Sequence, residues 1–341
     1  MIRGLAVVVR ALAWLVIWTF TLAAVLMAVL WGIGRVLTDT VPSLQQLHWI
    51  PTIAALAFTV LALALSTMRA RSQSLRRWRG ALWIIACLQG AVLLLQDWKP
   101  LSRPRTAAAV AQSRVPVRLA HVNANWSGAD AVERARAYAR CVKSEWGESG
   151  ADVLLISEVG SLLSIEARGS LMADDCDTIF VGRFGIVSRI PVVRSLPIMD
   201  DGKIALSSVE FGAWKGNEPF SLLLVDLPSD PAVSRRNVLE RMSVALRERL
   251  TDEPSVVVGD LNISRGSKSV SSVWPRHREA FAEQGRGWGA TYPRQFPLWH
   301  IDFMLIGGHT QLLDYCVQDP GAGKHRMQYA TMLFGEATVD R

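Results

Sequence analysis

The sequence predicts a layered α/β or α+β domain carried behind three membrane-spanning helices, and three observations lead there. The first hundred residues hold three long stretches without formal charge. The remainder alternates short β-branched runs with two segments of helical periodicity. Several of those apolar runs end in a carboxylate or an amide.

Residues 11–34 are 24 residues without a charge, residues 49–68 are 20, and residues 81–96 are 16 with Trp98 just beyond. A hydrocarbon core of ~30 Å takes about 20 helical residues, so the first two suffice and the third needs its flanks. A cleaved signal peptide fits the first stretch poorly, because its apolar run is too long. For the third, the alternative is a helix buried in a soluble protein. Arg69, Arg71, Arg76, Arg77 and Arg79 crowd the loop between the second and third stretches, and Arg3 and Arg10 precede the first. Residues 36–48 contain no Lys or Arg. The N-terminus and the Arg-rich loop are therefore expected to face the cytoplasm of the cell (inner) membrane, and three crossings put everything after Trp98 in the periplasm or exterior.

Charge must be counted by part. Residues 1–114 carry 12 Lys/Arg and 2 acids, net +10, whereas residues 115–341 carry 25 and 28, net −3. The basic surplus is thus topogenic, and the domain lacks the electrostatic footprint of a general nucleic-acid binder. The partners expected are the lipid bilayer and a substrate of open identity, for which tethering favours lipid headgroups or other envelope-associated groups; extended nucleic acid fits less well. Cys87 lies in the third apolar stretch, and no CxxC or Cys/His zinc spacing occurs. An oxidising compartment would permit one disulfide, for which Cys141 with Cys176 is the expected pair; three reduced, partly buried thiols are the alternative.

The division is residues 1–98 for the membrane part, 99–114 for a linker rich in Pro, Ala, Ser and Arg, and 115–341 for one domain. Within it, strands are expected at 115–122, 152–156, 178–181, 185–188, 204–211, 220–225, at the SVVVGDLN run of 255–262, and at 300–306 and 327–334. One helix is expected over 130–147, with Val132, Ala135, Ala139, Val142 and Trp146 on one face. Another is expected over 232–250, with Leu239, Met242, Leu246 and Leu250.

The polar residues fall at strand ends. Val122 leads into Asn123, Ile156 into Glu158, Val258 into Asp260 and Asn262, and Ile301 into Asp302. Ionised carboxylates beside apolar strands are costly unless they meet a cation or hydrogen-bond donors. Oxygen ligands without nearby cysteine suit a hard divalent ion such as Mg²⁺. Singly, each residue also has a bland reading: a cap, a turn, a surface acid or an arginine partner.

Asn123, ISEV with Glu158, GIVSRIP at 185–191, GDLN, GATYP at 289–293, HIDF with Asp302, and last His325 stand in an order that resembles the endonuclease/exonuclease/phosphatase superfamily. The likeness is greatest to its membrane-anchored bacterial members and covers about 115–334. It implies a four-layer sandwich, two mixed β-sheets flanked by helices, and Mg²⁺- or Mn²⁺-dependent hydrolysis of a phosphoester. Carried over by motif, Glu158 would be the principal metal ligand with Asn123 close by. Asp260 would orient or deprotonate the attacking water, Asn262 would hold the phosphate, and Asp302 would fix the tautomer of His325.

Two positions depart from that pattern. Where the family usually has His or Tyr before a Pro-containing loop, this chain has Asp226, and the terminal Ser-Asp-His signature reads Gly323, Lys324, His325. Three readings follow. The site is active in rearranged form, with Asp226 a ligand or raised-pKa acid and Lys324 on the phosphate; or it binds a phosphorylated ligand without turnover. In the third, the domain is a tethered interaction module in which Lys324 salt-bridges Glu158 in the metal's place.

Overall fold

The computed structural model describes residues 2–68, 73–100, 114–124, 130–142, 150–171 and 175–335. Most of the expected linker, and the last turn of the helix expected to reach Gly147, lie outside them. The chain divides into two compact units, Met1–Asp97 and Trp98–Arg341.

In the first unit, α1 (Ile2–Leu37) is followed by a 3₁₀ turn (Pro42–Trp49), α2 (Thr52–Thr67) and α3 (Gln73–Val92), which a π-helical turn extends through Asp97. Val7–Leu37 and Leu75–Asp97 are each long and apolar enough to cross a membrane. The second stretch expected as a span, residues 49–68, is formed by α2, which meets the preceding 3₁₀ turn at a bend of 67°; the pair counts as a third span only if the two pieces are one. Proline explains the bend. Pro51 offers no N–H and forces the preceding Ile50 into extended backbone, with φ −67° and ψ 112°. Small residues bring the helices together, Ala24 and Ala62 being fully buried beside Leu63 and Leu82.

The second unit runs β1 (Trp98–Lys99), β2 (Val117–Asn123), α4 (Ala131–Val142), β3 (Val153–Ser157), α5 (Ile165–Leu171), β4 (Asp177–Val181), β5 (Phe184–Ser188) and β6 (Val192–Asp200). It continues through β7 (Ala205–Phe211), β8 (Phe220–Asp226), α6 (Arg235–Arg249), β9 (Val256–Asp260), α7 (Lys268–Val273), β10 (Arg278–Glu279) and α8 (Ala280–Gln284). The chain closes with β11 (Gly285–Trp288), β12 (Asp302–Ile306), β13 (Thr310–Gln318) and β14 (Met327–Phe334). One sheet has the order β1-β11-β13-β14-β2-β3-β5-β4, the other β10-β12-β9-β8-β7-β6. Both are mixed, with parallel pairs at β11–β13, β2–β3 and β8–β9.

Three apolar layers separate four structural ones. Between the sheets lie Leu119, Leu155, Leu224, Val258 and Met304. Outside the first sheet, α4 and α5 cover Ala120, Val122, Leu154 and Ile156. Outside the second, α6 and α7 cover Leu223, Val225, Val257 and Phe303. The fold is the four-layer sandwich of two mixed sheets flanked by helices.

Alternation along the strands then fixes where the polar residues go. The side of β2 that puts Val117 and Leu119 between the sheets continues to His121 and Asn123; that of β3 continues from Val153 and Leu155 to Ser157. In the facing sheet, Leu222 and Leu224 lead to Asp226, Val256 and Val258 to Asp260, and Met304 back to Asp302. Every one of these polar side chains lies at the same end of the inter-sheet layer.

The structure adds strands that the sequence pattern hides. β6 contains Pro197 and is an edge strand, the place where a missing N–H costs no ladder bond, and its register shifts at Pro197/Met199. β13 is bulged between Leu312 and Asp314, which breaks the period of two. The expected Cys141–Cys176 disulfide is not made. Cys176 is a free thiol whose Sγ lies 3.7 Å from Asp175 Oδ1, and burial followed by the Asp175 charge pushes it up to about 11, away from thiolate chemistry.

Gly259 is a position only glycine can hold. Its φ is +151°, and an added Cβ would fall 1.8 Å from the carbonyl oxygen of Val225 on the neighbouring strand. Gly259→Ala is expected to cost more than ~2 kcal/mol, seen as a fall of several degrees in the thermal unfolding midpoint of the detergent-solubilised chain. An unchanged midpoint would refute this close approach.

Candidate active site

Three carboxylates stand in one row across β8, β9 and β12. Asp226 is opposite Asp260 in the parallel register, and Asp260 is opposite Asp302 in the antiparallel one. All three are buried. Glu158 reaches the same place from the other sheet, just past β3, in a left-handed backbone conformation with φ 52° and ψ 45°. Asn262, just past β9, is also left-handed, with φ 47°. Two non-glycine residues in that region at one site mark backbone strain where side chains are being aimed.

The neighbours are arranged as counter-charges and donors. Asn123 Nδ2 donates to Glu158 Oε1 at 3.1 Å and to Asp260 Oδ2 at 2.9 Å, so this amide ties the two sheets' carboxylates together. His325 Nδ1 donates to Asp302 Oδ2 at 3.0 Å and lies 3.9 Å from Asp260 Oδ2. The Tyr292 ring packs 4.9 Å from the His325 ring. Asp260 Oδ1 accepts from the backbone N–H of Asn262 at 2.8 Å, and Asn262 Nδ2 donates to Leu227 O at 2.8 Å, fastening the end of β9 to the loop after β8.

Beneath these groups runs a buried polar floor. Tyr315 Oη donates to Gln328 Oε1, Gln328 Nε2 donates to His121 Nδ1 at 2.8 Å, and His121 Nε2 donates to Ser157 Oγ at 2.9 Å. Burial lowers His121 to about 4, so it stays neutral in the tautomer that Gln328 selects.

Of the sequence-derived candidates, Asn123, Glu158, Asp226, Asp260, Asn262, Asp302 and His325 come together. Lys324 does not. Its side chain is exposed and takes part in no ion pair among the described residues, so nothing ties it to Glu158. Gly323 beside it has φ +78°, and a Cβ there would meet Tyr138 Oη at 2.3 Å, so the serine usual at this point of the motif has no room.

Sequence reasoning missed Arg183. Its guanidinium bonds Asp200 at 2.8 and 3.2 Å and lies 3.7 Å from Asp226 Oδ2. It lines, with Glu158, Leu163, Lys203, Asp226 and Asn262, a cleft of about 750 Å³ that opens beside the carboxylates. The one signal available was an arginine in the tight turn just before the GIVSRIP strand. His121 was legible in principle, two residues before Asn123 and hence on the same face of β2.

The donor set can be tested for a cation. Oxygens of Glu158, Asp226 and Asp260 all lie within 4.8 Å of one another, and so do ligand atoms of Asp260, Asp302 and His325. The second set already holds its own cation when His325 is protonated. In the first, Asp226 Oδ1 is buried without a hydrogen-bond partner. Three clustered carboxylates with an orphaned oxygen and no sulfur fit a hard divalent ion such as Mg²⁺ or Mn²⁺. Asn123, expected as a ligand, presents its amide nitrogen to two of these carboxylates and thereby positions them.

Electrostatics follow the same logic. Burial, then Asp302, raises Asp260 to about 8. Burial, then Glu158 and Asp260, raises Asp226 well above the carboxylate range. For His325, burial alone would lower the pKa, but Asp302 and Asp260 outweigh it and raise it to about 9. Asp302 is held low: burial opposes this, and His325 overcomes it.

The sequence pattern of the endonuclease/exonuclease/phosphatase family matches residues 120–325, and the chain belongs to that family, whose members act on phosphoester bonds. No curated protein matches the sequence. Among solved structures, an endonuclease/exonuclease/phosphatase family protein from Bacteroides thetaiotaomicron is similar over 64% of this chain and 98% of its own, at 15% identity and a TM-score of 0.52. The mannosyl-6-phosphatase of the same organism is similar over 64% of this chain and all of its own (100%), at 15% identity and a TM-score of 0.51. At such identities the likeness is one of fold.

Asp260 and His325 both have folded pKa values above their unfolded ones, so each contributes stability that is lost as pH rises, through about 8 and about 9 respectively. A divalent cation replaces the lost protons. Mg²⁺ or Mn²⁺ is therefore expected to raise the unfolding midpoint of the second unit more at pH 8 than at pH 5; an equal or reversed effect in a thermal-shift series would exclude a cation among these carboxylates.

Proposed function

We propose that this chain is a membrane-anchored phosphoesterase that depends on Mg²⁺ or Mn²⁺ and hydrolyses a phosphodiester or phosphomonoester outside the cytoplasm. The observation that carries the reading is the cluster of Glu158, Asp226 and Asp260 oxygens within 4.8 Å, beside the Asp302–His325 pair. Held by those three carboxylates, a divalent ion would supply Lewis-acid polarisation of a phosphoryl oxygen.

The chain's own residues do the rest. Asp260, whose Oδ1 is fixed by the backbone N–H of Asn262, takes a proton from the attacking water. Asn123 holds Asp260 and Glu158 in place through its two N–H groups. His325 stays an imidazolium at neutral pH; with Nδ1 fixed by Asp302, its Nε2–H is the donor available to developing phosphate charge. Arg183 and Lys203 line the cleft where the rest of the substrate would sit. The net −3 of residues 115–341 favours a compact phosphoester over a long polynucleotide.

Glu158→Gln and Asp260→Asn are each expected to lower the Mg²⁺- or Mn²⁺-dependent hydrolysis of a generic phosphodiester by ~100-fold or more, without loss of folding, because each removes a mutually repelling charge. Equal rates for wild type and both variants would leave a phosphate-binding or interaction role. The orientation rests on the arginines at 69–79. A reporter fused after Arg341 should be active in a periplasm-specific form and silent in a cytoplasm-specific one, and the opposite result would refute three crossings.

A further inference from the structure

The rim of the site carries apolar surface that hydrolysis does not use. Between β11 and β12 the chain turns outwards, and Phe296 at its tip is 78% exposed, with Gln295 and Leu298 exposed beside it. The base of this turn is stiff. Tyr292 N donates to Trp299 O at 3.0 Å, and Leu298 N and Trp299 N donate to Tyr292 O at 2.9 Å. The turn is also part of the site's wall. Arg294 N donates to Lys324 O and Arg326 N to Thr291 O, both at 2.7 Å, and Tyr292 packs on His325.

Chain connectivity relates the turn to a membrane. Trp98 directly follows Asp97, the last residue of the membrane-length helix Leu75–Asp97. Consecutive Cα atoms are ~3.8 Å apart, so β1 begins at the end of that helix. β1 pairs with β11, with Trp98 opposite Trp288, and Lys99 Nζ donates to Phe281 O at 2.9 Å. Trp288 Nε1 in turn donates to Pro297 O at 2.8 Å. Phe296 is thus one residue from a carbonyl bonded to the strand partner of the chain's membrane exit. Exposed aromatics at such a place suit the headgroup level, and Trp98 is exposed there as well. Lys324, on the other side of the turn, adds an exposed ammonium complementary to lipid phosphate.

We propose that the 292–299 turn rests on the bilayer that anchors the chain, with Phe296 and Leu298 at the boundary of headgroups and acyl chains, so that the adjoining site takes the phosphate of a membrane lipid. The bilayer contact rests on the exposure of the turn and on its connection to the membrane-length helix; the lipid substrate rests also on the phosphoesterase reading above.

The full chain is reconstituted in vesicles of phosphatidylcholine, phosphatidylglycerol and phosphatidic acid, with photoreactive p-benzoylphenylalanine at position 296 or, as control, in place of the exposed Val244 on α6. Lipid adducts at 296 are expected to exceed those at 244 by ~5-fold or more. Equal yields, or adducts to a second copy of the chain, overturn the bilayer contact. Separately, Phe296→Ser combined with Leu298→Ser is expected to lower hydrolysis of the two anionic lipids by ~10-fold and leave hydrolysis of soluble bis-p-nitrophenyl phosphate unchanged. A wild type that cleaves the soluble ester but neither lipid, or a double variant slowed on both or on neither, overturns the lipid substrate. A wild type that cleaves no probe removes the phosphoesterase reading and the lipid substrate with it, while the adduct yields still decide the bilayer contact.

Discussion

Asp226, Asp260 and Asp302 stand side by side on three neighbouring strands, and the mutual repulsion of these carboxylates is the constraint that the rest of the site answers. Like charges directly opposite one another destabilise a sheet, and burial removes the water that would screen them. Each end of the row has its own cation, Arg183 beside Asp226 and His325 beside Asp302. The middle has the amide of Asn123. What remains uncompensated lies towards Glu158, where a divalent ion would complete the balance. Folding alone would replace this row by apolar residues, as it does one pleat further down every strand. The row is therefore a feature kept for chemistry at a cost in stability.

The two departures from the usual family pattern make sense together. The terminal motif has lost its carboxylate, since Lys324 turns to solvent, and β8 has gained one in Asp226. The number of acids near the cleft is the same, but one has moved from the chain's end to the strand beside Asp260. Arg183 then supplies the positive partner on the side where an imidazole would ordinarily stand. Gly323 is the local price of that terminal segment, folded tightly over Tyr138.

Much of this was legible in the sequence, because its main signals are local. Apolar runs with a polar residue in phase at one end declared Asn123, Asp260 and Asp302 as members of a shared layer, and the uncharged stretches declared the helices. Other features depend on distant partners. Pro197 and the Leu312/Asp314 bulge broke the alternation of strands that tertiary pairing nonetheless formed. Arg183 looks like any turn arginine until Asp200 and Asp226 are brought to it. The Cys141–Cys176 pairing rested on cysteine count alone, which says nothing about which way a thiol points.

The pairing of Trp98 with Trp288 bears on how the chain is assembled. The first strand of the second unit is made before the rest of that unit, yet its partner β11 is made only after β2 to β10. Edge closure is thus a late, long-range event with a high cost in chain entropy. Until then the outer edge of β11 has no cover, and the nascent unit exposes unpaired backbone there. Closing that edge with β1 ties the start of the second unit to a strand made late, so the edge is protected only once both are in place.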